Sequence, residues 1–122
     1  MYEITVEKHF DAAHYLRGYQ GKCENMHGHR YRVAVKIKTE GLNDIGLAYD
    51  FTDLKKHLKS IIDRFDHTCL NDIKPFDKIN PSAENIAHTI YEELSEKLKG
   101  EPVTLTAVEA WESPEQGVSY QP

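Results

Sequence analysis

The amino-acid sequence predicts an α+β protein in which the strands of an antiparallel sheet flank a pair of helices. Apolar and polar side chains alternate at both ends of the chain, which is typical of strands with one buried face. The middle of the chain repeats its apolar residues every three to four positions, as amphipathic helices do. The predicted element order is therefore strand, strand, helix, helix, strand, strand.

The strands are predicted at residues 2–10, 29–39, 103–111 and 117–120. In the second strand Val33 and Val35 share one face, and arginine and lysine side chains occupy the other. The N-terminal alternation continues beyond the first strand, so that His14 keeps the parity of the apolar residues before it.

The first helix is predicted at residues 51–65, with Asp50 or Thr52 as its cap. The second helix begins at Asn80-Pro81 or at Ser82, because proline is tolerated in a first turn and serine is a good cap.

Length and composition predict one domain, residues 1–122, with 39% hydrophobic and 29% charged residues. The net charge of −5 comes without a basic block, which argues against nucleic acid as a partner. No apolar run is long enough to span a membrane, and the N-terminus lacks a signal-peptide pattern. We therefore expect a cytoplasmic protein whose two cysteines are reduced, with Cys69 in a structural role.

The residues around His27 predict a metal site. His27 and His29 are two apart, so an extended chain projects both from one face, and His14 can join them from a neighbouring strand. Three imidazoles with an open fourth position are typical of catalytic zinc. Cys23, four residues before His27, can act as a thiolate beside such an ion. The alternative is a histidine pair on a surface strand.

Three further groups are candidates for chemistry, and each has an ordinary structural explanation. Asp66-His67 can be a general acid and base or an exposed pair after a helix. The segment from Asn80 to Asn85 can contact a ligand or simply cap a helix. Glu112 can accept two hydrogen bonds from a guanidine-like heterocycle edge or be a strand-end charge.

In combination these motifs resemble the 6-pyruvoyltetrahydropterin and 6-carboxytetrahydropterin synthase family of the tunnelling fold. The resemblance covers almost the whole chain. It rests on Asp11-Ala12-Ala13-His14, Cys23-x3-His27-Gly28-His29, Asp50-Phe51, Asp66-His67-x2-Leu70-Asn71, Asn80-Pro81-Ser82-Ala83-Glu84-Asn85 and Glu112-Ser113.

The resemblance implies a four-stranded antiparallel sheet with two helices on one face. It also implies trimers that close their sheets into a barrel, stacked in pairs as hexamers. Active sites would lie between subunits, so that Glu112 can serve a neighbour's zinc. The implied ligands of Zn²⁺ are His14, His27 and His29.

Catalysis, by the same resemblance, would use Cys23 as the thiol, with Asp66 and His67 completing the proton-transfer set. Glu112 would anchor the pterin ring, with Glu84 and Ser82 near it. Family members usually have threonine at the position of Ser82.

The implied reaction is a lyase step of 7-deazaguanine and queuosine synthesis. It converts 7,8-dihydroneopterin triphosphate to 6-carboxytetrahydropterin, acetaldehyde and triphosphate. The three-residue spacing between Cys23 and His27 favours this branch over the pyruvoyl branch.

Glu24 leaves a dual activity open, because a folate-branch relative carries glutamate in this loop in place of the thiol. A dual-activity enzyme would also cleave dihydroneopterin. The alternative for Glu24 is a solvated loop charge. A zinc-binding or pterin-binding module without catalysis is the remaining alternative.

Overall fold

The computed structural model describes residues 1–19, 21 and 24–122 of the chain. Its elements are β1 (Tyr2–His14), β2 (His27–Thr39), α1 (Phe51–Ile62), β3 (Thr68–Cys69), α2 (Ala83–Lys97), β4 (Thr104–Ser113) and β5 (Gln116–Tyr120). The strands form one sheet in the order β3-β1-β2-β4-β5, and both helices lie between β2 and β4 in the sequence. The predicted α+β class and the order of the long elements are confirmed.

The sheet differs from the expected four antiparallel strands by one short addition. β3 has only two residues and pairs parallel to β1, with Thr68 opposite Ala12 and Cys69 opposite Ala13. Two residues are too few to show an alternating pattern, so the sequence carries no signal for this strand. β3 forms because the chain leaves α1 along the free edge of β1.

Two boundaries also differ from prediction. β1 and β2 are both longer at the end that carries the histidines, because they pair continuously from Tyr2 opposite Thr39 to His14 opposite His27. α1 ends at Ile62 rather than at residue 65. Phe65 still lies in the core, because the chain continues through turns after the helix and keeps that ring fully buried.

Both helices pack on one face of the sheet, as expected. α2 contacts β4 and β5, while α1 contacts β1 and α2. Helix capping follows the predicted alternatives, since Asp50 accepts a hydrogen bond from the backbone of Thr52 and Ser82 caps α2. The fully buried core between the layers includes Tyr31, Val33, Val35, Leu54, Leu58, Ile86, Ile90 and Leu94.

The opposite face of the sheet is charged. Carboxylates on the two neighbouring strands, β1 and β4, pair with arginine and lysine side chains of β2, as in Glu7 with Arg32 at 3.3 Å and Glu109 with Lys36 at 3.2 Å. This alternation places His14, His27 and His29 on the helix side, at the end of the core. Among the described residues, no helix is both long and apolar enough to cross a membrane.

Candidate metal centre and active site

Three imidazoles converge where β1 and β2 meet at the end of the core. His14 and His27 are direct partners in the antiparallel register, and His29 follows on the same face. The ring centroids are 4.6 Å apart for His14 and His27, 5.1 Å for His14 and His29, and 4.8 Å for His27 and His29. A potential ligand atom of each ring lies within 4.8 Å of the others. The predicted grouping is confirmed.

Backbone carbonyls fix the orientation of two of these rings. His14 Nδ1 lies 2.7 Å from the carbonyl oxygen of Pro81, and His27 Nδ1 lies 2.7 Å from that of Asn25. A carbonyl can only accept, so each Nδ1 must carry the hydrogen. The Nε2 atoms of both rings then present lone pairs toward the centre of the cluster.

The resulting arrangement fits a cation. The two Nε2 atoms of His14 and His27 are 3.1 Å apart, and with both Nδ1 atoms protonated neither can donate to the other. His29 Nε2 is buried and has no hydrogen-bond partner among the described residues. A metal ion accepts all three lone pairs at once, and three imidazoles with an open position are a zinc donor set. Ring nitrogens held by outer carbonyls are typical of metal ligands.

Burial favours the neutral form of His14 and His29, which is the form that binds metal. The pKa of His14 lies below its ordinary value of 6.5, mainly because burial penalises the cation; the hydrogen bond to Pro81 opposes the shift. Burial lowers the pKa of His29 as well, against the attraction of the Glu112 carboxylate. Neutral rings at His14 and His29 do not need to lose protons before a metal binds.

Glu112 lies against this cluster from β4. Its carboxylate oxygens are 3.8 Å from His29 Nε2 and 4.0 Å from His14 Nε2, and its side chain is 20% exposed. Within the chain Glu112 therefore lies beside His14 and His29, and its service to a neighbouring subunit's zinc stays a prediction. Glu112 and Glu84 together line a cleft of about 180 Å³ that opens between the start of α2 and β5.

Asp66 and His67 form a second, separate group on the free edge of β1. Asp66 Oδ1 accepts a hydrogen bond of 2.9 Å from the backbone N–H of Asp11, and Asp66 Oδ2 lies 3.0 Å from His67 Nδ1. The Asp11 N–H is the main reason that the pKa of Asp66 is lowered, with His67 adding to the effect. The structure joins Asp66 and His67 as predicted but does not bring them to the imidazoles of the same chain.

The family of the chain follows from these motifs and from direct comparison. The family model described as 6-pyruvoyl tetrahydropterin synthase matches residues 3–122. The chain belongs to this family.

Relatives and a solved structure agree with the family model. The 6-carboxy-5,6,7,8-tetrahydropterin synthase of Haemophilus influenzae is 38% identical over 114 residues, which is 89% of this chain and 76% of that protein. The Bacillus subtilis protein of the same name is 32% identical over 129 residues, 99% of this chain and 86% of that one. The structure of Caenorhabditis elegans 6-pyruvoyl tetrahydropterin synthase superposes with a TM-score of 0.86 at 30% identity, covering 100% and 97% of the two chains.

Other residues that the tetrahydropterin synthase resemblance singles out have different settings in the structure. The Ser82 hydroxyl accepts the N–H of Asn85 at 3.1 Å, so it caps α2. Glu84 is exposed in the first turn of that helix, and Glu24 is exposed in the loop before β2. Cys23 lies outside the described residues. Cys69 is a free cysteine in β3 and is half-buried; its structural role stays a prediction.

Sequence reasoning missed the backbone groups that orient the histidine rings of the site. The carbonyls of Pro81 and Asn25 belong to the main chain and have no side-chain signature. Tyr31 lies in the core beside the imidazoles, yet its buried hydroxyl has no hydrogen-bond partner among the described residues. Burial raises its pKa, so the phenol stays protonated. Its position two residues after His29 on the same face is the one signal that the sequence offered.

Proposed function

We propose that this chain is a zinc-dependent 6-carboxy-5,6,7,8-tetrahydropterin synthase. It would convert 7,8-dihydroneopterin triphosphate and one water to 6-carboxytetrahydropterin, acetaldehyde and triphosphate, in 7-deazaguanine and queuosine synthesis. The observation that carries the metal part is the convergence of three imidazole lone pairs beside a carboxylate. The branch is favoured by relatives of that name at 38% and 32% identity.

The chemistry divides between the bound ion and the side chains. Zn²⁺, held by His14, His27 and His29, would supply Lewis-acid polarisation of the substrate's side-chain hydroxyls. Cys23 would take up a proton as the thiolate. His67, oriented by Asp66, would pass protons between the substrate's side chain and ring.

Recognition of the pterin ring is assigned to the carboxylates at the cleft. The guanidine-like edge of a pterin presents two donors, and a carboxylate accepts both. Glu112 is our proposed anchor, with Glu84 on the other wall of the cleft. The Ser82 hydroxyl caps α2, and Ser82 is two residues before Glu84 in the sequence.

We infer that the working enzyme is a homo-oligomer, and most simply a hexamer of two trimers. The cleft of about 180 Å³ is smaller than the roughly 300–1,000 Å³ of small-molecule sites, which suits a site completed by another copy. Asp66-His67 lies on the β1 edge rather than at the imidazoles, so a neighbouring copy can deliver it. The sheet ends in two edge strands, β3 and β5, and barrel closure between subunits removes such edges.

The test is incubation of the zinc-loaded protein with 7,8-dihydroneopterin triphosphate and identification of products by mass spectrometry. We expect 6-carboxytetrahydropterin and acetaldehyde in equal amounts. Cys23→Ala should keep zinc and lose most turnover. Cys69→Ala is the matched control, because it removes a thiol from the structural strand β3 and should leave turnover intact. A pyruvoyl product would move the chain to the other branch, and no product with zinc bound would indicate a binding module.

A second activity is favoured by the position of Glu24. Its side chain is exposed in the loop that leads into His27, next to Cys23 in sequence, where a second base can act on the same substrate side chain. Incubation with unphosphorylated dihydroneopterin should then yield 6-hydroxymethyldihydropterin. Equal yield from Glu24→Ala would show that Glu24 is only a loop charge.

A further inference from the structure

The backbone beyond β1 is held by two asparagine side chains in the same way. The N–H of Tyr15 donates to Asn71 Oδ1 at 3.0 Å, and Asn71 Nδ2 donates to the carbonyl of Tyr15 at 3.0 Å. The N–H of Arg17 donates to Asn80 Oδ1 at 2.9 Å, and Asn80 Nδ2 donates to the carbonyl of Arg17 at 2.9 Å. Each side-chain amide thus satisfies both backbone groups of one residue, as a partner strand would.

These amides continue a contact that begins further back along β1. Asp66 and His67 bond to the backbone of Asp11, and Thr68–Cys69 pairs with the next two residues. Asn71 and Asn80 then extend the same attachment past the end of the strand. Residues 66–71 and 80–81 therefore attach to the stretch that runs from Asp11, near the end of β1, to Arg17.

The segment ends on a metal ligand. Pro81 directly follows Asn80 and supplies the carbonyl that accepts from His14 Nδ1 at 2.7 Å. Asn85 Nδ2 donates to the carbonyl of Asn80 at 2.8 Å, which ties this peptide to the first turn of α2. His14, the backbone of Arg17, the Asn80 amide and the Pro81 carbonyl therefore form a closed ring of covalent and hydrogen bonds.

We propose that Asn80 and Asn71 are positioning residues that hold His14 in its metal-binding orientation and tautomer. Asn71 fixes the residue after His14, and Asn80 fixes the peptide that carries the acceptor for its ring. Without the Asn80 amide, the Pro81 carbonyl can move away from Nδ1. His14 Nε2 is then no longer held toward His27 and His29. This inference rests on the metal site of the proposed function.

The test compares Asn80→Ala with Asn43→Ala. Asn43 also uses its side-chain oxygen to hold a loop, by accepting from Ile45 at 3.0 Å and Leu47 at 2.9 Å. That loop follows the other end of β2, away from His27. Both variants lose loop hydrogen bonds and should lose some thermal stability. Zinc affinity, measured by chelator competition, should fall about 10- to 100-fold in Asn80→Ala only, as for loss of an outer partner of a ligand.

Two further readouts separate positioning from general stability. The visible spectrum of the cobalt(II)-substituted protein should change in Asn80→Ala and not in Asn43→Ala. In metal-free protein, ¹⁵N NMR should find His14 with its hydrogen on Nδ1 in the parent and redistributed in Asn80→Ala. If Asn80→Ala does not fold, Asn80→Asp serves, since it keeps the acceptor for Arg17 N–H and loses the donor.

Unchanged zinc affinity and an unchanged His14 tautomer in the Asn80 variant would overturn the proposal. A parent protein that binds no zinc would overturn the metal site instead. The tautomer measurement uses metal-free protein, so it decides the role of Asn80 even in that case.

Discussion

The two clusters that contain histidine in this structure differ in what surrounds them. His14, His27 and His29 and, separately, Asp11, Asp66 and His67 each bring ligand atoms within 4.8 Å. In the first cluster His14 is 2% exposed, carbonyls hold two of the rings, and lone pairs face each other. In the second, His67 is 79% exposed and bonds to a carboxylate of its own group.

This comparison teaches that proximity alone does not define a metal site. In the imidazole cluster His29 Nε2 has no hydrogen-bond partner among the described residues, and burial lowers the pKa values of His14 and His29, which disfavours protonation of these two rings. The Asp66-His67 pair is already satisfied internally, because Asp66 Oδ2 lies 3.0 Å from His67 Nδ1. We therefore propose that the first cluster holds an ion and that the second carries a proton.

The largest expected effect comes from removing one imidazole. His27→Ala should lower the affinity for zinc because it removes a proposed ligand. The loss should exceed the roughly 10- to 100-fold that follows when only a hydrogen-bond partner of a ligand is replaced. Elemental analysis after dialysis measures this. His88→Ala is the matched control, since His88 is an exposed helix histidine that pairs with Glu92. Full zinc occupancy in His27→Ala would break the distinction between the clusters.

The next largest effect is expected in the second cluster, where a substitution should lower turnover and leave zinc bound. Asp66→Asn should keep stoichiometric zinc and lose about 10²- to 10⁴-fold in turnover, the range of a single acid–base group. Loss of the carboxylate also removes the anion that orients His67. Steady-state kinetics together with metal analysis measure both quantities. Zinc loss in Asp66→Asn would mean that the second cluster is also a metal site.

Glu112 connects the comparison to substrate recognition. Glu112→Gln should weaken pterin binding by about 1–3 kcal/mol, because the amide turns a donor toward a ring donor. Zinc affinity should change less, because the carboxylate lies 3.8 Å from His29 Nε2 rather than at bonding distance to the ring nitrogens. Calorimetry with a pterin ligand on zinc-loaded protein measures the first quantity. Equal affinity for the pterin would remove Glu112 from the binding site.

The sequence predicted the imidazole cluster because strands have a period of two. That period placed His14, His27 and His29 on the face of Val33 and Val35, and pairing of β1 with β2 followed from it. The same period could not predict β3, because a strand of two residues is too short to show an alternating pattern. Its parallel pairing with β1 depends instead on the path of the chain after α1.

The supporting groups of the site were beyond sequence patterns for a different reason. The carbonyl of Pro81 acts through its position, and any residue has a carbonyl. Asn71 and Asn80 were visible as motif residues, but their pairing with Tyr15 and Arg17 crosses more than fifty positions. The position of Glu112 beside its own chain's histidines required the register of β4 on β2.

The smallest expected effect is a pH dependence that distinguishes the clusters in metal-free protein. The folded-state pKa values of His14 and His29 lie below their ordinary value of 6.5. Below pH 6.5 the unfolded chain therefore binds more protons at these residues than the folded chain does. Stability should be full above pH 6.5 and fall as the pH drops through the lowered pKa values. The slope from each group cannot exceed about 1.4 kcal/mol per pH unit. Denaturant unfolding at a series of pH values measures the decline.

Saturating zinc should reduce this loss of stability below pH 6.5, since the metal binds the folded state and holds both rings neutral. A metal-free protein that is equally stable across this range would show that burial does not disfavour protonation of His14 and His29.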